Sequence, residues 1–350
     1  GGVDNVHRVK GVMTLAGKAL ARNQAALSEL LWETLTRSRF DELPRLRELV
    51  AQMRAHREEA VTDHGHMLAL AAASAGLSPT AALNHRWDGL QGLRDLKALD
   101  DTLDDPTALA AFAARLERLR DRLQHAPRQL LAVSEAERQD DIAAALATHW
   151  REGATGTVEP FALAVPEASP ARQGFSVNTQ VNFCAKAYPT VAPNHPDAPA
   201  LHVLGDFLRN GYLHRAIREQ GGAYGGGAGY HPDSGAFRFH SYRDPRLTET
   251  LADFDRALEW LHTYDHPTRT LEEAILGVIA AIDKPGSPAG EAISAFFGTL
   301  FGRTPEQRRA YRQQVLAVTL NDLKRVAAAY LQPERACCAV LSDARTLTEQ

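Results

Sequence analysis

Residues 218–245 of the chain read REQGGAYGGGAGYHPDSGAFRFHSYRDP. Five of the 25 glycines lie between residues 221 and 227. Glycine clusters where a backbone bends sharply or comes close to another group, because glycine has no Cβ. Arg218 and Tyr224 stand at the front of this cluster. A guanidinium and a hydroxyl beside such a backbone can donate hydrogen bonds to a bound chain or to an anion.

The sequence after the glycines predicts a hairpin that leads into a helical layer. Phenylalanines alternate with polar residues in 235–242, which is typical of a strand that pairs with 223–230 around a turn at 231–235. Further strands are predicted at 175–185 and 336–341. Apolar spacing predicts helices at 200–218, 247–261, 271–282, 290–301, 305–317 and 319–331. This order indicates an α+β domain with a mainly antiparallel sheet and helices packed on one face.

The first half of the chain is richer in helices. Helical spacing occurs at 23–35, 41–60, 63–75, 107–123 and 136–150, and Ser78 before Pro79 indicates a helix N-terminus. Short strands are predicted at 9–20 and 129–133. Glycines and prolines without periodicity at 153–174 indicate a linker. We therefore predict two domains, at 1–152 and 175–350.

Composition limits the classes of partner. The 350 residues are 44% hydrophobic and 23% charged, as is usual for a globular protein, and the net charge of −4 gives no reason to expect nucleic acid or an anionic membrane. No apolar run approaches the ~20 residues of a membrane span. The three cysteines form no Cys-x-x-Cys pair and are expected to be buried thiols. We expect a cytoplasmic or organelle-matrix setting.

The chain opens Gly1-Gly2 without a methionine and runs directly into structured-looking sequence. This beginning is expected of a piece of a longer protein.

The 14 histidines contain no zinc-peptidase helix motif, neither His-Glu-x-x-His nor His-x-x-Glu-His. In the nearest match, 56–60, alanine stands where the second histidine is needed. His64 and His66 are expected to be capping or solvent-exposed residues. A Ser-His-Asp triad stays open although no Gly-x-Ser-x-Gly elbow is present. The glycines lack the Gly-Lys-Ser/Thr of a phosphate loop. The sequence therefore predicts no metal ligands in this chain.

Arg218 and Tyr224 allow two interpretations from the residues alone. Together they suit a polarised carbonyl or the oxyanion of a tetrahedral intermediate. Alternatively, Arg218 forms a surface pair near a helix C-terminus, where its charge complements the helix dipole, and Tyr224 packs on the sheet.

A family resemblance bears on this choice. The segments 218–225 (REQGGAYG), 234–239 (SGAFRF) and 241–245 (SYRDP) resemble the C-terminal half of the presequence-protease branch of pitrilysin-type (insulinase-like) zinc metallopeptidases. Shorter segments agree in the same order: GKALxxN at 17–23, DHGH at 63–66 and GYL at 211–213. The resemblance covers most of the chain.

The resemblance implies a fold of four related α+β domains, of which this chain holds an incomplete third domain and the whole fourth. It implies that zinc is bound by a missing N-terminal half, which is the partner of this chain, and that the substrate is an unstructured peptide. It implies that Arg218 and Tyr224 contact the substrate carbonyl, with backbone contacts from Gly221, Gly222, Ala223 and Gly225. The isolated chain is then expected to be inactive. A non-catalytic structural subunit and an independent peptide-binding module remain alternatives.

Overall fold

The computed structural model of the protein describes residues 2–150, 163–164 and 169–349. Its first half is helical. The helices are α1 Gln24–Arg37, α2 Leu43–Glu59, α3 Gly65–Ser74, α4 Pro79–Trp87, α5 Leu90–Thr102, α6 Pro106–His125 and α7 Gln139–His149. The described residues before 151 contain no strand.

The second half contains the sheet and a second set of helices. Its strands are β1 Arg172–Ser176, β2 Phe183–Pro189, β3 Gly225–His231, β4 Ala236–Tyr242 and β5 Cys337–Ser342. Its helices are α8 Ala198–Leu208, a π-helix Arg209–Gln220, α9 Thr248–Thr263, α10 Thr268–Ile282, α11 Pro288–Leu300, α12 Pro305–Leu316, α13 Leu320–Tyr330 and α14 Ala344–Glu349. The predicted hairpin and the helices that follow it are confirmed, with small shifts at their ends.

The five strands form one sheet in the order β1-β5-β2-β4-β3. β1 runs parallel to β5, and the other neighbours are antiparallel. The α+β class and the mainly antiparallel sheet are therefore confirmed. This order makes β3, the glycine-rich strand, an edge of the sheet.

Helices lie on both faces of the sheet, whereas the sequence predicts helices on one face. On one face, Phe237 and Phe239 of β4 pack with buried residues of α8, α9, α10 and α13. On the other face, α3 from the first half packs on the small residues of β2 and β5. Gly65 begins α3, and an added Cβ there would meet the ring of Phe183 at 2.5–2.6 Å. This glycine therefore allows α3 to lie close to the sheet.

Local signals explain where several helices begin. The Ser78 hydroxyl accepts a hydrogen bond from the Ala81 N–H at 3.3 Å, and Pro79 follows it, as the sequence predicts. Thr304 with Gln307 and Thr319 with Asp322 form capping boxes at the starts of α12 and α13.

Two predicted strands are wrong. Residues 9–20 and 129–133 have no regular secondary structure. The apolar side chains of the first segment, such as Met13, are exposed and no sheet neighbour meets them. The first ten residues instead contact the second half: Lys10 donates to the Leu300 carbonyl at 2.8 Å, and the Asn194 N–H donates to the Val3 carbonyl at 2.9 Å.

The predicted linker lies largely outside the described residues, and its last three residues belong to β1. The domain boundaries at 152 and 175 stay predictions. Within the described ranges, the helices are too short or too polar to cross a membrane.

Candidate functional site

The predicted site lies where the π-helix ends and β3 begins. α8 continues directly into the π-helix Arg209–Gln220, whose side chains Leu213 and Ile217 are buried against the core. A π-helix of this length is rare, and π-helical turns occur often at functional sites. Arg218 stands in its last turn, and Tyr224 follows six residues later, just before β3.

The glycines between them form the helix terminus. Gly222 has a positive φ of 80°, a conformation that favours glycine. The Gly222 N–H donates to the Arg218 carbonyl at 3.2 Å, and the Ala223 N–H donates to the Ile217 carbonyl at 3.1 Å. These bonds satisfy carbonyls that the helix end leaves without a partner.

Gly221 has a different neighbour. An added Cβ at this position would collide with the guanidinium of Arg246 and with the Ile217 carbonyl. Gly221 and Ala223 are buried, whereas Gly222 is exposed and Gly225 half-buried. The turn is thus fixed by internal contacts, and contact of these four residues with a substrate stays a prediction.

The two predicted donors are both exposed. Tyr224 is 69% exposed, and its ring meets the Tyr242 ring edge-on at 5.6 Å between centroids. Among the described residues, neither the Arg218 guanidinium nor the Tyr224 hydroxyl has a hydrogen-bond or ion-pair partner. The surface pair that the alternative interpretation predicts for Arg218 is therefore not observed there. The Arg218 guanidinium and the Tyr224 hydroxyl are therefore free to bind an added molecule.

The strand that follows Tyr224 presents free backbone groups. The Tyr224 N–H donates to the Tyr242 carbonyl at 3.1 Å, at the start of the β3–β4 ladder. The Thr190 N–H donates to the Gly235 carbonyl at 2.7 Å, so the odd-numbered residues of β4 face β2 and its even-numbered residues face β3. By the register of β3 on β4, the backbone groups of Gly226, Ala228 and Tyr230 therefore point away from β4. An added Cβ at Gly225 or Gly229 would meet no atom within 4 Å. β3 is therefore an open, glycine-lined edge.

Three rings that sequence reasoning did not assign extend from Tyr224 across the sheet. Tyr242 contacts His66 of α3 at 4.7 Å, and His66 contacts His240 of β4 at 5.7 Å between ring centroids. Burial lowers the pKa of His66, and the charge of nearby His64 lowers it further. Burial, with His66 and Arg238 as smaller causes, lowers the pKa of His240 to about 4. Both histidines are therefore neutral bases near pH 7.

His66 is thus half-buried against the sheet, whereas the sequence predicts a capping or solvent-exposed residue. His64 is exposed, and no side-chain capping bond is formed at the start of α3. The alternation of polar and aromatic residues in β4 indicates a cluster of side chains on this face of the sheet. No local sequence pattern indicates that α3 packs against that cluster.

The zinc that the resemblance implies has no group of ligands among the described residues, and its place in a missing N-terminal half stays a prediction. Within the described residues, no three His, Cys, Asp or Glu side chains lie close enough together to hold a metal ion. The free groups of the site are hydrogen-bond donors and backbone amides, which suit an anion or a peptide and not a cation.

Comparison with known families gives two matches. The family described as "PreP C-terminal domain" matches residues 172–336. A second family, described as associated with peptidases of group M16, subgroup C, matches residues 2–99. Together these matches cover more than half of the chain and lie in its two halves in turn.

Relatives with curated names agree. The chain is 32% identical over 327 residues to "Presequence protease, mitochondrial" of Yarrowia lipolytica. This alignment covers 90% of this chain and 32% of that protein. It is 29% identical over 351 residues to the protein of the same name from Danio rerio, covering 93% of this chain and 34% of that protein. The chain therefore spans about a third of the length of these relatives.

Solved structures share the fold. The crystal structure of pitrilysin matches with a TM-score of 0.61 and 14% identity, covering 92% of this chain and 34% of that one. A peptidase M16 inactive domain from Pseudomonas fluorescens matches with a TM-score of 0.58 and 18% identity, covering 91% of this chain and 74% of that one. At these identities the likeness is one of fold.

Proposed function

Because the chain belongs to the presequence-protease branch of the pitrilysin-type peptidases, we propose that it is the C-terminal, substrate-enclosing half of a zinc metalloendopeptidase that degrades unstructured peptides. Its partner in this proposal is an N-terminal half that holds the zinc. The names of the relatives further support a setting in an organelle matrix.

The observation that carries the proposal is the pair of free donors beside the open strand. The Arg218 guanidinium offers several N–H donors in a rigid planar fork, and the Tyr224 hydroxyl is carried by a stiff ring. When a peptide bond is attacked, negative charge develops on its carbonyl oxygen. Preformed donors aimed at that oxygen stabilise the charge more in the transition state than in the ground state.

The edge of β3 supports a peptide as the substrate. An extended chain can add to an exposed sheet edge by main-chain hydrogen bonds. Gly226, Ala228 and Tyr230 direct such groups outward, and the glycines between them carry no side chains that would hold a peptide backbone away. A folded segment could not pair in this way, so the edge favours an unstructured peptide.

Closure would complete this site. Donors carried by one half reach a peptide held by the other half only when the two halves meet around it, which also excludes water from the reacting bond. Arg218 and Tyr224 then assist a reaction whose metal ligands lie outside this chain.

The test uses the full-length protein that contains this chain and an unstructured fluorogenic peptide. Arg218→Ala and Tyr224→Phe are each expected to lower kcat by about 10²–10³, because each removes one donor to the developing charge. Arg308→Ala, an exposed arginine of α12, is the control and should leave kcat unchanged. Circular dichroism checks that each variant is folded.

Two results would contradict the proposal. If both variants kept the wild-type kcat and KM, Arg218 and Tyr224 would have a structural role and would not assist the reaction. Zinc-dependent hydrolysis by the isolated 350-residue chain would show that it contains its own metal site. Intact binding of an extended peptide by a full-length protein without activity would instead favour the peptide-binding module.

A further inference from the structure

A polar cavity lies between the π-helix and α9, on the face of the sheet that is covered by α8, α9, α10 and α13. Its volume is about 700 Å³, within the range of small-molecule sites. The π-helix lines one side with Tyr212 and Arg215, and α9 lines the other with Arg256 and Trp260. Neither Arg218 nor Tyr224 borders it, although Arg246, which lines it, also lies against Gly221 in the turn between those two residues.

One wall of this cavity is aromatic. Trp260 contacts His266 at 4.4 Å, Tyr212 at 5.8 Å and Tyr264 at 6.1 Å between ring centroids. An added Cβ at Gly211 would collide with the Trp260 indole, so this glycine lets the ring lie against the π-helix backbone. Tyr264 is more than half exposed and leaves room beside it. This wall can stack with a flat, apolar group.

The remaining wall is cationic. Arg215, Arg246 and Arg256 border the cavity, against the single carboxylate of Asp253. Asp253 is already bound to Arg246 at 3.0 Å and to Arg256 at 2.5 Å. Arg215 is exposed and has no ion-pair partner among the described residues. Aromatic rings alone could hold a cation, but the excess of guanidinium groups favours an anion.

Two buried polar atoms at the cavity also lack partners. Arg246 Nε makes no hydrogen bond to any described residue, although its Nη2 donates to the Ala216 carbonyl at 3.2 Å. His266 Nε2 lies 3.0 Å from the Leu261 carbonyl, which makes it the donor, so Nδ1 is an acceptor and has no partner in the described part of the chain. Both atoms have less than 1 Å² of accessible surface, so a ligand in the cavity would meet the exposed parts of these two side chains and not these atoms.

We propose that this cavity binds an aromatic ring joined closely to a carboxylate, with the ring on Trp260 and Tyr264 and the carboxylate on Arg215 and Arg246. Two sources share this chemistry: a free aromatic acid, and the C-terminal aromatic residue of a peptide. The proposal is independent of the peptidase activity, because it concerns binding by this chain alone.

The experiment is isothermal titration calorimetry on the 350-residue chain. N-acetyl-L-phenylalanine is expected to bind at one site. N-acetyl-L-phenylalaninamide, which lacks the charge, and N-acetyl-L-alanine, which lacks the ring, are each expected to bind about tenfold more weakly or worse. Alanyl-alanyl-phenylalanine, with a free or an amidated C-terminus, separates the two sources. Tighter binding of the free-acid peptide than of N-acetyl-L-phenylalanine identifies a peptide end, and weaker binding identifies a free acid.

Variants locate the site. Arg215→Gln is expected to weaken N-acetyl-L-phenylalanine about tenfold, and Tyr264→Leu to weaken it as well. Both side chains are exposed, so folding should persist. Arg308→Gln, which removes an exposed arginine elsewhere, is the matched control and should bind like the wild type. Equal binding of the acid and its amide, wild-type affinity in Arg215→Gln, or no heat at about 10 mM ligand would overturn the proposal.

Discussion

The guanidinium of Arg246 occupies the space that a Cβ on Gly221 would need. Arg246 is held there by Asp253 at 3.0 Å and by the Ala216 carbonyl of the π-helix at 3.2 Å. Asp253 is almost fully buried and also binds Arg256. The turn that leads from Arg218 to Tyr224 is therefore packed against a buried ion-pair network.

Gly221→Ala should therefore destabilise the protein. The new methyl group must displace a guanidinium held in a network and also press on the Ile217 carbonyl, and overpacking of this kind costs about 1–3 kcal/mol. Urea unfolding followed by circular dichroism measures the loss. Gly229→Ala is the matched control, because its methyl group meets open space, and its stability should change by less than about 0.5 kcal/mol. Equal stabilities of the two variants would show that Arg246 moves aside freely.

This network shows what the sequence could and could not supply. The glycine cluster predicts a sharp turn beside Arg218 and Tyr224, and the structure has one, with Gly222 at positive φ. The reason for Gly221 could not be predicted, because its neighbour Arg246 is 25 residues further along the chain and reaches it only through the hairpin. Tertiary contacts of this kind leave no local pattern.

The half-buried His240 on β4 should make stability depend on pH. The pKa of His240 is lowered from 6.5 to about 4, mainly by burial. Between these values the unfolded chain binds a proton that the folded chain does not, so stability should fall as the pH falls from about 6.5 to about 4. His240→Asn should show a shallower fall in Tm over this interval.

Thermal unfolding at several pH values checks this prediction. Carboxylates whose pKa is lowered in the folded chain, such as those of Asp197 and Asp283, lose their contribution to stability below about pH 3.8. They therefore affect the unfolding curves mostly below the interval from pH 6.5 to pH 4. The other histidines are present in both proteins, so the difference between the two curves reports His240. Parallel curves would contradict the assignment.

An ion pair between a buried lysine and an accessible aspartate couples the sheet to α9, and its two partners should respond differently to mutation. Lys186 Nζ in β2 lies 2.7 Å from Asp255, with side chains that are 8% and 40% exposed. Asp255→Ala leaves a buried ammonium with only the Leu251 carbonyl at 3.4 Å, and should destabilise by about 1–3 kcal/mol.

Lys186→Met should be close to neutral in the same measurement. It removes the buried charge, and water can solvate the carboxylate that remains. Chemical unfolding of both variants gives the comparison. If Lys186→Met lost more stability than Asp255→Ala, an unpaired ammonium on Lys186 would not be the more costly of the two unpaired charges.

Periodic segments were predictable and isolated ones were not. α9 has an apolar stripe that must be buried against the sheet, and the prediction of a helix there is confirmed. Apolar residues at 9–20 satisfied a strand pattern as well, but no strand edge lies beside them. The π-helix escaped prediction because Leu213 and Ile217, four residues apart, are buried on one face in either helix type.

The end of β4 gives a test of backbone strain next to the candidate site. Arg243 has φ 49°, the left-handed region that a side chain disfavours, and it is the one non-glycine residue with positive φ among those described. Its guanidinium lies 3.0 Å from Asp63 and 5.4 Å from the Tyr242 ring centroid. Both partners of the ion pair are well exposed, so the pair should contribute little to stability.

Arg243→Gly and Arg243→Ala both remove these contacts, but only glycine removes the strain. We therefore expect Arg243→Gly to be more stable than Arg243→Ala by about 1 kcal/mol, the usual cost of a Cβ in this conformation. Urea unfolding of the two variants measures the difference, and Asp63→Ala reports the ion pair separately. If Arg243→Ala proves as stable as Arg243→Gly, the backbone adopts another conformation in solution, and Tyr242 beside Tyr224 is then held by side-chain packing alone.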